Sequence, residues 1–183
     1  MKKLMMWTAC SFLFIACNNP KPTEQKTETT DTTTNVTKEA APAEFADPKY
    51  SEIGKKAIAA LSAGDVDGWM AGYAESAVFQ WNNGDSLKGK TAISGYWKKR
   101  RTEVIDSITF SNAIWLPVKV NKPQSIEAPG VWLLSWYMIN VKYKTDKRMV
   151  QWVHTDMHFD ADDKIDRVIM YLDRAPINAA TKK

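Results

Sequence analysis

The chain has 183 residues, 44% of them hydrophobic and 25% charged, with 8 Gly and 8 Pro. That balance excludes a collagen, a coiled coil and wholesale disorder, and the length points to one domain with a few dozen residues to spare. The net charge of +4 is too small for a nucleic-acid binder on charge alone, so no nucleic-acid partner is expected.

Lys2 and Lys3 precede an uncharged run from Leu4 to Ala16. The run is shorter than the roughly 20 apolar residues a membrane helix needs, so residues 1–16 read as a secretory signal. It ends Phe14-Ile15-Ala16-Cys17, which resembles the lipobox of bacterial lipoproteins. The resemblance implies that Cys17 carries the lipid and that the membrane is met through it. With Asn18 next in the chain, it implies the outer membrane of a bacterial cell envelope. Cys10 leaves with the signal, so no disulfide is expected. Residues 17–46 are rich in Thr and have almost no large apolar side chain before Phe45. They read as a disordered tether, because such a segment cannot offset its ordering entropy by burial.

The domain is expected over residues 47–178, with a tail at 179–183. Pro48 to Ala63 reads as a helix, with Ile53, Ala57 and Leu61 four apart and Gly64 as C-cap. Asp65 can cap a short helix bearing Trp69, Met70 and Tyr73. Ala77 to Trp81 is a short strand closed by the turn Asn82-Asn83-Gly84-Asp85, and Thr91 to Val104 is a third helix. The run Lys98-Lys99-Arg100-Arg101 falls at its end. Cations there are favoured by the helix dipole, which predicts a solvated face; attraction of an anionic lipid or ligand is the other reading. The period then changes to two. A strand from Ile108 to Val120 has Asn112 and Pro117 as marks of a bulge or an edge. Val131 to Tyr143, Met149 to Phe159 and Lys164 to Leu172 follow, joined by tight turns. Hairpin-linked strands predict a curved antiparallel sheet with helices on one side, an α+β domain.

Several short stretches carry a resemblance. Leu61-Ser62-Ala63-Gly64-Asp65 with Trp69 and Tyr73, Ala77-Val78-Phe79, Leu87 to Ile93, and Phe159-Asp160 through Asp163-Lys164-Ile165 to Tyr171-Leu172-Asp173 resemble, in that order, motifs of the cone-shaped NTF2-like superfamily in its SnoaL-like branch. The resemblance covers about residues 48 to 178. It implies three N-terminal helices packed on a curved antiparallel sheet. It also implies a cavity opening on the helix side, and pairing of two copies through the sheet face. Asp163 stands where the family has Gly, which predicts a different turn.

Gly84 to Thr91 satisfies the phosphate-loop pattern G-x-x-x-x-G-K-[ST] letter for letter. It is rejected as such. The loop belongs to parallel sheets with an Asp-ended strand for magnesium, and Asp85 would repel phosphate. Trp152, His154, Asp156 and His158 alternate onto one face of their strand. A carboxylate about 7 Å along at Cα can orient an imidazole and raise its basicity. His154 and Asp156 are therefore the candidate catalytic pair, with a structural polar cluster and a shared metal as the other readings. No metal site is assigned, because the outer pair of the three would be ~13 Å apart at Cα; no cofactor is implied.

Trp69, Tyr73, Trp81, Trp97, Trp136, Trp152 and Tyr171 are the candidate ligand-binding rings, since apolar walls with a few polar groups are how small-ligand pockets are built. Two functions follow. One is a lipid-anchored envelope protein binding a small apolar or aromatic molecule. The other is an enzyme of the polyketide-cyclase or ketosteroid-isomerase type, with His154 or Asp156 as base and Tyr or Trp donors stabilising an enolate. A homodimer through the sheet face is a third reading. The side of the sheet that carries His154 and Asp156 discriminates among them.

Overall fold

The computed structural model describes residues 40–123 and 128–182; Cys17, the signal and the tether up to residue 39 lie outside them. The elements run β1 (Ala43–Phe45), α1 (Lys49–Ala63), α2 (Val66–Met70), β2 (Tyr73–Trp81), β3 (Ser86–Lys88), α3 (Lys90–Glu103), β4 (Ile105–Val120), β5 (Gly130–Tyr143), β6 (Arg148–Phe159), β7 (Ile165–Tyr171) and α4 (Arg174–Thr181). They form one seven-stranded sheet in the order β1-β4-β5-β6-β7-β2-β3.

Local chemistry places the helices. Asp47 Oδ1 accepts the Lys49 N–H at 2.8 Å and satisfies a donor of the first turn of α1. Gly64, at φ 80°, ends that helix in the left-handed conformation. Asp65 then caps α2 by accepting the Gly68 N–H at 2.7 Å. Gly54 lies in the middle of α1 for a steric reason: a Cβ there would come within 2.6 Å of both Leu133 Cδ2 and the Trp115 ring. The missing side chain lets α1 lie close on β5.

The sheet departs from expectation in four places. It is mixed rather than antiparallel, because β2 pairs with β7 in parallel, through the intervening helix and strands. Its helices number four rather than three among the described residues: α1, α2 and, after β2 and β3, α3 take the expected order, but α4 follows the last strand, taking in most of the stretch read as a tail. The end of the expected tether forms β1, whose Ala43, Glu44 and Phe45 pair with Val120, Lys119 and Val118; backbone pairing orders a segment too short of apolar side chains to order itself. The turn after β6 keeps its glycine-like backbone, because Asp163 adopts φ 57°. Asp and Asn tolerate that region better than most residues. Here the carboxylate is also held, by Tyr50 Oη at 2.6 Å and Lys49 Nζ at 2.7 Å, which ties the turn to α1.

The bulge in β4 is where the sequence placed it. Register shifts between Ser111 and Ile114, and Asn112 sits at φ 52°. Pro117 lies just past the end of the β1 pairing, its carbonyl accepting the Ala46 N–H at 3.0 Å.

Alternation sorts β5 and β6 between two sides. Leu133, Ser135, Tyr137, Ile139, Val141, Tyr143, Met149, Val153, Thr155, Met157 and Phe159 point to the helix side and are buried. Their neighbours point to the outer side. Two apolar clusters form under the helices. One is centred on Trp69, Phe79, Ile93, Leu133 and Val168, the other on Ile108, Tyr137, Val141, Tyr143 and Val153.

Candidate functional site

A cavity of about 430 Å³ opens on the helix side. Its apolar wall combines Tyr137, Ile139, Val141, Met149 and Val153 from the sheet with Trp81, Tyr96, Trp97 and Leu61. Ile177 and Asn178 of α4, and Leu172 just before it, close one flank. The rim is charged: Arg100 and Arg101 from α3, Arg174 from α4, and Asp85. Asp85 Oδ2 pairs with Arg174 at 2.9 Å. Its carboxyl is held below the usual range by the Asn83 side-chain hydrogen bond first and the Arg174 bond next. Gly84 to Thr91, the phosphate-loop look-alike, therefore includes part of the cavity rim (Asp85, Ser86 and Leu87), and its middle is the strand β3.

Inside the wall the polar groups are few. Tyr137 Oη and Thr155 Oγ1 are 2.7 Å apart, and Ser135 Oγ donates to the Thr155 carbonyl at 2.8 Å. Burial pushes the Tyr137 phenol up to about 12 and raises that of Tyr73 well above its ordinary value; neither serves as a base near neutrality. Trp97 Nε1 is buried with no hydrogen-bond partner.

The expected catalytic pair lies on the other side of the sheet. His154 and Asp156 alternate with the buried Val153, Thr155 and Met157 and so face outward, away from the helix-side cavity. The pair is formed, with His154 Nε2 2.8 Å from Asp156 Oδ1. That oxygen is buried and accepts no hydrogen bond among the described residues. His154 Nδ1 lies 3.0 Å from the Ser135 carbonyl, an acceptor only, so Nδ1 carries a hydrogen. Burial raises the Asp156 carboxyl above its ordinary value, and the His154 charge opposes that rise. The His154 ring is layered between Trp136, with centroids 4.5 Å apart, and Tyr171 at 5.3 Å, because those residues are its direct partners on β5 and β7. His158 lies between Asp166 Oδ1, 2.6 Å from its Nδ1, and the Pro129 carbonyl, 3.0 Å from its Nε2. It pins the loop before β5 to β7.

The seven candidate rings divide accordingly. Trp81 and Trp97 line the cavity. Trp69 and Tyr73 are buried core, packed edge-on with centroids 5.0 Å apart, and are corrected to that role: they sit where α2 meets β2 and the packing leaves them no free face. Trp136, Trp152 and Tyr171 are on the outer side, where a second, shallower hollow of about 300 Å³ is lined by Val118, Trp132, Leu134, Asp156, Arg167 and Tyr171 among others. From the sequence Asp85 reads only as a turn residue that would repel phosphate, and Arg174 and the wall residues on α4 carry no motif. Their signal was weak, since α4 has only eight residues and reads as the end of a strand followed by a tail. Among the described residues, no three His, Cys, Asp or Glu side chains converge as a metal site, and no helix is long and apolar enough to cross a membrane.

No protein-family profile matches the chain, and no curated protein matches it. Solved structures do. An NTF2-like protein of unknown function from Burkholderia pseudomallei superposes with a TM-score of 0.59 at 11% identity, over 73% of this chain and 97% of that one. The fold is NTF2-like. A protein assigned as a polyketide cyclase from Xanthomonas campestris pv. campestris superposes on the NTF2-like domain with a TM-score of 0.58 at 16% identity, over 72% of this chain and 96% of that one. A protein assigned as an isomerase from Bacillus subtilis does so with 0.57 at 18%, over 72% and 91%. At such identities the likeness extends to the fold alone, and fold does not fix function.

Proposed function

We propose that this chain is a small-molecule-binding protein whose ligand occupies the helix-side cavity of its NTF2-like domain. The observation that carries the reading is the cavity itself: about 430 Å³, walled by rings and aliphatic side chains. The volume lies within the roughly 300–1,000 Å³ of small-molecule sites. The only acidic group among its described lining residues, Asp85, is bound to Arg174 at the rim. A binding site needs apolar walls and a few orienting groups, and this one has both. A proton-transfer site needs a free base facing the substrate. His154 and Asp156, the expected pair, face outward.

Native mass spectrometry of the protein taken from its own envelope is the test. A bound small molecule lost on unfolding, and absent from Val153→Trp, which fills the cavity, supports the reading. A ligand-free protein that also ignores a panel of apolar aromatic compounds overturns it.

An acid–base role for His154 and Asp156 belongs, if anywhere, to the outer hollow that Asp156 lines. The SnoaL-like assignment and the names of two structural neighbours, a cyclase and an isomerase, speak for such chemistry only through the fold. The outer side has a stronger feature. Phe45, Ile114, Val150, Trp152 and Tyr171, the exposed large apolar residues of the described chain, all lie on it. Apolar area gathered on one face marks an interface, and we assign this one to a second copy of the chain. We further propose that Cys17 is lipidated and holds the protein at the outer membrane. The support is the sequence Ile15-Ala16-Cys17-Asn18 after an uncharged run. Fatty-acid labelling in cells that disappears in Cys17→Ala supports that assignment, and labelling that persists overturns it.

A further inference from the structure

We infer that the ligand of the helix-side cavity is an anion: an apolar body carrying one carboxylate, which sits against Arg100. The inference rests on the cavity being a ligand site and adds the chemical class.

Three guanidinium groups and one carboxylate line the rim. Their commitments differ. Arg174 is bound to Asp85 and lies over the Trp81 ring, 5.8 Å from its centroid. Arg101 packs over the C-terminus of α1, so close that a Cβ on Gly64 would come within 2.8 Å of Nη2, and makes a long 3.5 Å contact to the Asp106 carbonyl. Arg100 lies 5.7 Å from the centre of the Tyr96 ring. None of the ion pairs of the described residues includes Arg100 or Arg101, whereas Lys98 and Lys99 of the same run pair with Asp67 and Glu103. The charge balance at the rim is thus positive, beside a wall that supplies no anion of its own.

The second observation is position. Trp97, Arg100 and Arg101 follow the i, i+3, i+4 spacing and share one face of α3, and all three line the cavity. An apolar ring and two cations without an ion pair among the described residues are therefore presented together. A neutral apolar ligand would leave the cations unmatched. A phosphate or sulfate without a hydrophobic body would leave most of the wall unfilled. A carboxylate on an aromatic or aliphatic body answers both the rim and the wall. It also explains why Lys98 to Arg101 reads two ways in the sequence: the lysines are a solvated helix end, and the arginines face the cavity.

Calorimetric titration of the full chain with naphthalene-2-carboxylate and with its neutral counterpart 2-naphthylmethanol tests this. A charge-assisted hydrogen bond discriminates by roughly tenfold or more, so the carboxylate is expected to bind at least that much more tightly. The preference should shrink with added salt and vanish in Arg100→Gln, which still binds the alcohol. Retained alcohol binding shows that this variant is folded. Equal affinity for the two compounds, or a preference that survives both Arg100→Gln and Arg101→Gln, overturns the anion assignment and leaves the cavity as a neutral-ligand site. Binding of neither compound overturns this inference, and the proposed function falls with it if the native protein also carries no ligand.

Discussion

The two sides of one sheet show how the same kind of sequence is put to different uses. On β5 and β6, helix-side residues such as Leu133, Tyr137 and Val153 are nearly inaccessible. Their immediate neighbours Leu134, Trp136 and Trp152 lie on a face where Trp152 remains 50% exposed. Both sides are rich in rings. On the helix side, α1, α2 and α3 cover the rings and the coverage is incomplete, which leaves a cavity. On the outer side, no helix of the described residues lies over them, and the loop before β5 reaches only Trp132 and His158. Aromatic density alone therefore says little about a pocket; what lies over the rings decides.

The largest expected difference comes from adjacent leucines. Leu133→Ala removes a side chain fully enclosed between α1 and the sheet, and should destabilise by about 2–5 kcal/mol. Leu134→Ala, one residue along and partly exposed, should cost about 1 kcal/mol. Chemical denaturation of both variants measures the gap, and equal losses would erase the distinction between the sides. Gly54→Val probes the same helix-side contact from above. Its side chain would strike Leu133 and Trp115, so a loss of roughly 1–3 kcal/mol is expected, visible as a lower Tm.

Trp152→Ser tests the outer side. The folded monomer should hardly change, since half the ring is already in water. Self-association should weaken by about 2 kcal/mol, or some thirtyfold, as for a central aromatic of an interface. Sedimentation equilibrium reads this directly. A protein that is monomeric before and after the substitution would leave that face without its assigned occupant.

The smallest effect is in the pH dependence, where the sides have opposite sign. On the outer side, burial raises Asp156 above 3.8. The folded chain then holds that proton more tightly than the unfolded chain, and stability falls as pH rises from 3.8 through the raised value. At the edge of the helix side, Lys49 and then Tyr50 lower Asp163 below 3.8. Its contribution is complete above 3.8 and fades as pH falls through the lowered value. Asp156→Asn should flatten the first slope and Asp163→Asn the second, in denaturation curves taken on either side of that pH. The same slope in both variants and the parent would refute the assignment.

Much of the architecture is local, and so could be read in advance. The end of α1 follows from Gly64, the α2 cap from Asp65, the β4 bulge from Asn112, and the last strands from the turns that bound them. Each depends on residues within a turn or a ladder step of one another. The alternation of Trp152, His154, Asp156 and His158 onto one face was fixed in the same way, and the His154–Asp156 pair followed from it. What local pattern could not supply was the covering of each face. Strand period has no memory of which side meets a helix, so it cannot say which side carries His154, Trp136, Trp152 and Tyr171; the packing of α1 to α3 puts them on the uncovered one. The parallel pairing of β2 with β7, the ordering of Ala43–Phe45 on the edge of β4, and the meeting of Arg100, Arg174 and Asp85 at the cavity rim all join residues far apart in the chain. Contacts of that kind arise from packing, where burial and charge are settled between elements, and only the tertiary structure could decide them.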